Sequence, residues 1–288
     1  MANGIVIIDK PTGWTSMDVC AKIRGILHEK RVGHGGTLDP MATGVLPVFV
    51  GHATRAVEFA ENSRKEYVAG VRFGLISDTQ DVTGTVLETR PASISRAELE
   101  AILPRFTGQL SQIPPMYSAV KIGGQKLCDL ARKGREVERK PRNITIYELE
   151  LLEQTGEGDW MLRCACSKGT YIRTLAHDIG QMLGCGAALS SLRRTMAAGF
   201  TLEQTVSLDD MQRLGESLLL PTDRYFAEYP AYAVRSKAQE TRCRNGNPVT
   251  DAALSDGTYR VYGSDGTFLC LSEARGGTLT SVKNFFGA

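Results

Sequence analysis

The chain opens on the apolar run Ile5 to Ile8, closed by Asp9 and by the turn residues Lys10-Pro11-Thr12-Gly13, so Gly4 to Asp9 reads as a strand with its stop. The period then changes. Val19, Ile23 and Ile26/Leu27 recur at helical spacing behind Thr15, which pairs with Asp18 as an N-cap. Val45 to Val50 is apolar and β-branched, a strand or buried segment in which Pro47 argues for an edge or a strand start. A short helix is expected over Ala53 to Glu61. Lys65 to Gly74 alternates as a strand does, with Tyr67, Ala69, Val71 and Phe73 on one face and Val68, Gly70 and Arg72 on the other. Asp78, Asp81 and Gly84 read as a solvated polar turn before Thr85 to Thr89. Ser95 with Glu98 resembles a capping box opening a helix whose apolar face is Leu99, Ile102, Leu103 and Phe106.

Asn143 to Leu152 and Trp160 to Ser167 read as paired strands around the turn Gly156 to Asp159. Thr170 is a candidate N-cap for a helix with Ile172, Leu175, Ile179 and Leu183 on its apolar face and Gly184 at its end; Arg173 falls off that face. Residues 207–228 read as helical and lead to Tyr229-Pro230, where the pattern changes character. A short helix near Ser236 to Arg244 is followed by Asn245-Gly246-Asn247-Pro248, Asp256-Gly257 and Asp265-Gly266 turns between short alternating strands. This reads as a small β module over 229–288 behind a larger unit over 1–228.

Composition narrows the class. Hydrophobic residues at 42% and charged residues at 23% are globular values and exclude a disordered or fibrous chain. Seven scattered cysteines without a Cys-x-x-Cys pair make neither a disulfide framework nor a zinc site, which suits a reducing cytoplasm. The N-terminal apolar run is too short for a leader or membrane span, so a soluble intracellular protein is expected. A net charge of +2 hides a local concentration: Lys121 to Arg142 carries eight Lys/Arg against three acids. With Tyr117, the Gly123-Gly124 hinge and the short Leu127/Leu130/Ala131 face, this run reads either as a solvated surface or as a mobile basic flap suited to a polyanion.

The candidate chemistry lies in residues 32–48. Gly33, Gly35 and Gly36 with His34 and Pro40 surround one carboxylate, Asp39. Glycines permit left-handed angles and close approach by a ligand, while proline biases the preceding residue away from the helical region. Leu38 stands where a dinucleotide fingerprint needs its third glycine, and no Gly-Lys-Ser/Thr follows, so phosphate cradling is disfavoured. The motif alone is equally a shaped loop or an ordinary turn.

The stretch Gly33-His34-Gly35-Gly36-Thr37-Leu38-Asp39-Pro40-Met41-Ala42-Thr43-Gly44-Val45-Leu46 resembles the catalytic motif of the TruB family of tRNA pseudouridine synthases, with Met41 where leucine is expected. The resemblance continues in order through Lys10 to Ser16, Lys65-Glu66-Tyr67, Ser111 to Ala119 and Ser167 to Leu175, covering residues 4 to about 225. It implies an α+β pseudouridine synthase fold: a mixed, largely antiparallel central sheet flanked by helices, with a C-terminal PUA-like RNA-binding domain. It further implies an RNA-binding thumb over about 110–143, contributed by Lys121, Lys126, Arg132, Lys133 and Arg135. By the same resemblance Asp39 is the catalytic carboxylate, Arg173 its partner, and Tyr67 the active-site tyrosine. Leu192 lines the uracil pocket, His34 fills the space vacated by the flipped base, and Tyr171 contacts substrate. Lys10 either touches RNA or packs in its turn. The implied substrate is uridine 55 in the T-loop of tRNA, with T-stem contacts, no guide RNA, no cofactor and no metal, in a monomer. Routes by attack at C1′, addition at C6 or a glycal intermediate stay open.

Overall fold

The computed structural model describes residues 1–286. Its N-terminal alternation forms β1 (Gly4–Lys10), and the Thr15/Asp18 pair closes a reciprocal capping box on α1 (Ser16–Leu27), which buries Val19, Cys20, Ile23 and Leu27. Strands β2 (Val32–His34) and β3 (Thr43–Val50) bracket the glycine-rich loop. The helix expected over Ala53 to Glu61 divides into a 3-10 segment, Gly51–Ala56, and α2 (Val57–Asn62). Next come β4 (Lys65–Phe73), the hairpin β5 (Leu75–Ser77) and β6 (Val86–Thr89), α3 (Arg96–Ile102) and β7 (Gly108–Gln112). A small excursion holds β8 (Lys121–Ile122), β9 (Gln125–Lys126) and α4 (Leu127–Ala131). The chain then returns as β10 (Arg142–Gly156) and β11 (Asp159–Cys166), α5 (Ile172–Met182), β12 (Ala187–Ala197) and β13 (Phe200–Thr201).

These strands build one sheet in the order β1-β3-β12-β4-β11-β10-β7, with β2 beside β3 and β13 beside β12. Every pairing is antiparallel except β12 with β3, which run parallel where Arg193 meets Thr43 and Arg194 meets Gly44. The expected mixed, largely antiparallel sheet is present. Because β7 pairs with β10 inside it, the basic excursion leaves the sheet after Gln112 and rejoins it at Arg142.

Pro47 lies within an inner strand, against the expectation of an edge or strand start. Its carbonyl accepts the Gly35 N–H at 2.9 Å. A strand residue points its nitrogen and its carbonyl to the same flank, so the missing donor faces the β2 side and takes no bond from the β1–β3 ladder.

Residues 207–228 form a broken helical stretch: α6 (Leu208–Leu214) and 3-10 turns Gly215–Leu218 and Thr222–Phe226. Gly215 takes φ +53°, and the intervening Leu220 exchanges both backbone hydrogen bonds with Ile5, at 2.8 and 2.9 Å, which pulls the chain out of helical geometry. Beyond it, β14 (Ala231–Ala233), α7 (Lys237–Arg244), β15 (Val249–Thr250), β16 (Gly257–Tyr262), β17 (Phe268–Arg275) and β18 (Thr278–Asn284) make a second, five-stranded sheet in the order β14-β16-β17-β18-β15. Phe226 joins the two parts, its ring centroid 5.3 Å from Phe59 on one side and 5.3 Å from Phe285 on the other.

Candidate active site

The loop between β2 and β3 is held from three directions. Ser16, in the first turn of α1, accepts the Leu38 N–H at 2.8 Å and donates to the Leu38 carbonyl at 3.2 Å. Lys10 is wholly buried and donates to the carbonyls of Pro11, Trp14 and Pro40 at 2.9, 2.6 and 3.3 Å, so its ammonium fixes the residue after Asp39. Burial brings that ammonium down to about 8, with the Asp39 charge opposing. Arg194, also fully buried, donates to the carbonyls of Val45 at 2.7 Å and Gly36 at 3.2 Å. Gly36 takes φ +129° and Gly44 φ +99°; a Cβ at Gly44 would lie 2.2 Å from the Arg194 carbonyl. The loop's shape therefore depends on glycine at these two points; Gly33 and Gly35 keep ordinary angles, although a Cβ at Gly35 would lie 2.7 Å from that of Ala60.

So held, Asp39 presents a carboxylate that is 34% exposed to the wall of a cavity of about 500 Å³. Arg173, in the first turn of α5, meets it with both sides of the guanidinium fork, Nε to Oδ2 at 2.8 Å and Nη2 to Oδ1 at 3.2 Å. Arg173 itself is only 4% exposed. Its remaining donors reach the carbonyls of Thr79 at 2.9 Å and Tyr117 at 2.8 Å, and Nη1 lies 3.8 Å from Asp81 Oδ2. Asp81 is thus no solvated turn residue. It is buried and accepts from Thr79 Oγ1 at 2.8 Å and from Thr83 N and Oγ1 at 2.9 and 2.6 Å, placing a second fixed anion behind the arginine. A planar, permanently charged fork matches the two oxygens of a carboxylate and fixes its orientation.

Sheet register places the apolar walls. Tyr67 of β4 stands opposite Arg194, and Leu192 opposite Ala69, so tyrosine and leucine share a face; both are buried and line the cavity. Burial raises the Tyr67 hydroxyl to about 12, with Arg194 opposing, so it is a neutral phenol at physiological pH. Tyr171 lines the cavity as well. It is also the N-cap of α5, a place the sequence reading gave to Thr170; the Thr170 hydroxyl instead donates to the Ser167 carbonyl at 3.0 Å. The Tyr171 backbone is satisfied from outside the helix, because the Gln112 amide accepts its N–H at 2.9 Å and donates to its carbonyl at 3.0 Å.

Two named residues stand off the cavity wall. Lys10 lies behind the loop as described, with no exposed surface to offer RNA. His34 is half-buried in β2, and its Nδ1 accepts the Gly36 N–H at 3.3 Å; burial and the Arg194 charge keep the ring below its ordinary pKa and hence neutral. Lys121, Lys126, Arg132, Lys133 and Arg135 are all exposed on the excursion. There Gly123 and Gly124 take φ +57° and +81° to close the β8–β9 hairpin, and the Cys128 N–H ties α4 to the Ser118 carbonyl at 3.1 Å. Ser118 and Ala119, at its root, form part of the cavity wall.

Arg194, Asp81 and Lys65 escaped the sequence reading. For Arg194 a signal existed: it follows Leu192 by two, so strand parity puts it on the buried face.

The model of the TruB family pseudouridylate synthase (N terminal domain) matches residues 24–172, and that of the tRNA pseudouridylate synthase B C-terminal domain matches residues 173–226. The chain is 44% identical over 281 residues to a tRNA pseudouridine synthase B of Pseudomonas fluorescens, covering 94% of this chain and 91% of that one. It is 46% identical over 280 residues to the protein of that name from Syntrophomonas wolfei, covering 94% and 93%. Among solved structures it is similar to a Cbf5-Nop10-Gar1 complex, with TM-score 0.74 at 27% identity over 99% of this chain and 85% of that one. It is also similar to an H/ACA RNP bound to a substrate RNA containing 2′-deoxyuridine, with TM-score 0.71 at 25% identity over 99% and 85%.

Proposed function

The chain belongs to the TruB family and is a pseudouridine synthase, and from that premise we propose that it acts on tRNA, isomerising uridine 55 of the T-loop without a guide RNA. The observation that carries the proposal is the bidentate Asp39–Arg173 pair on the wall of the cavity.

The reaction breaks the bond between ribose C1′ and uracil N1, rotates the uracil while it is held, and forms a bond from C1′ to C5. The C5 proton leaves and N1 takes one up, so atoms and charge balance. Asp39 is the group that engages the reacting nucleoside, held in place by the two-point bond from Arg173. Tyr67 and Leu192 hold the detached uracil between an aromatic ring and an apolar side chain, in a space that limits its escape to water. The target base must first leave its stack, at a few kcal/mol. His34 fills the place it vacates, and Lys121, Lys126, Arg132, Lys133 and Arg135 form the thumb that closes on the phosphates. Loop shape and backbone contacts along T-loop and T-stem then serve recognition. The second sheet acts as a PUA-like RNA-binding domain, residues 229–288, behind a catalytic domain of residues 1–228. The enzyme works as a cytoplasmic monomer. Among the described residues no helix is long and apolar enough to cross a membrane.

Tritium release from C5 of uridine in an unmodified tRNA transcript, with no guide RNA added, tests the reading. Wild type is expected to release tritium at one position per tRNA, and Asp39→Asn to release none while binding the transcript within about threefold of wild type. Turnover by Asp39→Asn would remove the aspartate from the chemistry. Tight binding without release by wild type would make the protein a guide-dependent synthase or an RNA chaperone.

A further inference from the structure

Around the Asp39 loop the fold buries four cations, Lys10, Lys65, Arg173 and Arg194, and sets against them the carboxylates of Asp39 and Asp81, with the exposed Glu61 on the cavity wall. Burying unpaired charge is unfavourable, so such a surplus is a structural statement about what the site receives. Lys10 and Arg194 do not line the cavity, and Arg173 is engaged there by Asp39. Lys10 and Arg194 are spent on backbone carbonyls, and Arg173 on Asp39 and two carbonyls.

Lys65 differs. It is 7% exposed, its Nζ donates to the carbonyls of Glu61 at 3.0 Å and Ser63 at 2.9 Å, and an ammonium has a third proton to give. It lines the same cavity as Asp39, and the exposed Arg142 and Lys168 stand on that wall too; Lys168 is hydrogen-bonded to Asn62. On β4 it precedes Tyr67 by two residues, which puts it on the same face roughly 7 Å along the strand. In the function proposed above, the base lies against Tyr67. Uracil and ribose carry no formal charge, so the anion that a nucleotide brings to this wall is a phosphodiester.

We propose that Lys65, with Arg142 and Lys168 at the rim, binds one of the two phosphodiesters flanking the flipped uridine and thereby fixes the ribose against Asp39. The inference rests on the pseudouridine synthase reading but concerns a contact made in binding, so it is tested apart from turnover.

The experiment uses the full-length protein and a synthetic T-stem-loop in which each flanking phosphate in turn is replaced by a neutral methylphosphonate. Wild type is expected to lose on the order of tenfold in affinity for one of the two substitutions, the usual worth of a charge-assisted hydrogen bond. Lys65→Gln should bind the normal RNA more weakly than wild type and lose most of the discrimination between the two RNAs, Arg142 and Lys168 keeping the remainder, while Lys65→Arg regains it. Equal losses in wild type and Lys65→Gln, or no loss in either, would overturn the assignment. Should Lys65→Gln fail to fold, the pH dependence of the wild-type penalty decides. Burial and the Arg194 charge bring Lys65 down to about 8, with Lys168 adding to that and Cys166 and Glu61 opposing. The methylphosphonate penalty must therefore shrink as pH rises from 7 to about 9.5, and a penalty constant over that range would count against Lys65. Tritium release from the unsubstituted stem-loop, run alongside, reports separately on the reaction.

Discussion

Asp39 and Arg173 form an unequal pair: the carboxylate is one-third exposed while the guanidinium is sealed behind it and shared with Thr79, Tyr117 and Asp81. An ammonium in place of the fork would keep the charge and lose the two-point geometry. Arg173→Lys is therefore expected to lower kcat by about a hundredfold with far less effect on thermal stability than Arg173→Ala, read from tritium release and calorimetry on the same preparations. Full activity in Arg173→Lys would show that charge alone suffices. A second prediction follows from the buried lysines. Lys10 and Lys65 hold their protons to about 8 in the folded protein instead of the ordinary 10.5, so the unfolded chain binds more protons across that window and stability rises with pH through it. Below the window both ammonium groups are buried charged and their cost is fully felt. Lys10→Met should flatten the rise in denaturation midpoints between pH 8 and 10; a wild type with no rise there would mean that both charges are compensated. At this scale the sequence disclosed what is local. The Thr15/Asp18 and Ser95/Glu98 caps are three residues apart, and Asp39 stands in a loop whose composition is unusual. It gave no sign of Asp81 and Lys65, and of Arg194 only through strand parity, because their burial depends on how strands far apart in the chain pair.

Among the elements, β12 carries the most: it pairs with β4 along its length and with β3 in parallel at the one point where the Asp39 loop enters the sheet. Gly44 makes that crossing possible. Gly44→Ala would force a Cβ into the Arg194 carbonyl and strain a positive φ, so a loss of about 3 kcal/mol or more is expected by urea denaturation. A variant within 0.5 kcal/mol of wild type would mean that the strands separate freely there. The basic excursion is a different kind of element, small in core and rich in exposed charge. Replacing Lys126, Arg132, Lys133 and Arg135 with glutamine should reduce the slope of log affinity against log salt by about 3 while leaving kcat at saturating RNA near wild type. An unchanged slope would take this element off the RNA. Period alone identified β1, α1, β4, α3, β10, β11 and α5, whereas β7 and β12 carried no such sign. Nor did it fix boundaries that depend on partners, as Pro47 shows: a residue that disrupts most inner strands is harmless where its nitrogen faces away from the ladder.

For the whole molecule, the aromatic seam through Phe226 makes the two sheets mechanically one body. Phe59 approaches that ring from the first part, and Phe268 and Phe285 from the second, at 6.3 and 5.3 Å. Phe226→Ala is expected to destabilise by about 3 to 5 kcal/mol. Tryptophan fluorescence, from Trp14 and Trp160 of the larger part, and hydrogen exchange in β16–β18 should report the loss together. Loss in one probe alone would show that the sheets unfold independently. The change of pattern at Tyr229-Pro230 is visible in the sequence, whereas the seam is not, since nothing local tells an aromatic at a junction from one in a core.

The loop that bears the carboxylate is completed by residues made much later: Arg173 lies 134 positions after Asp39, and Arg194 lies 158 after Gly36. During synthesis at roughly 5 to 20 residues per second, the aspartate leaves the ribosome about eight to thirty seconds before the strand that shapes its loop. A nascent chain that meets RNA in that interval carries an aspartate without its arginine. The pair therefore exists only once the chain has been made past Arg173, and the loop takes its final shape when β12 enters the sheet.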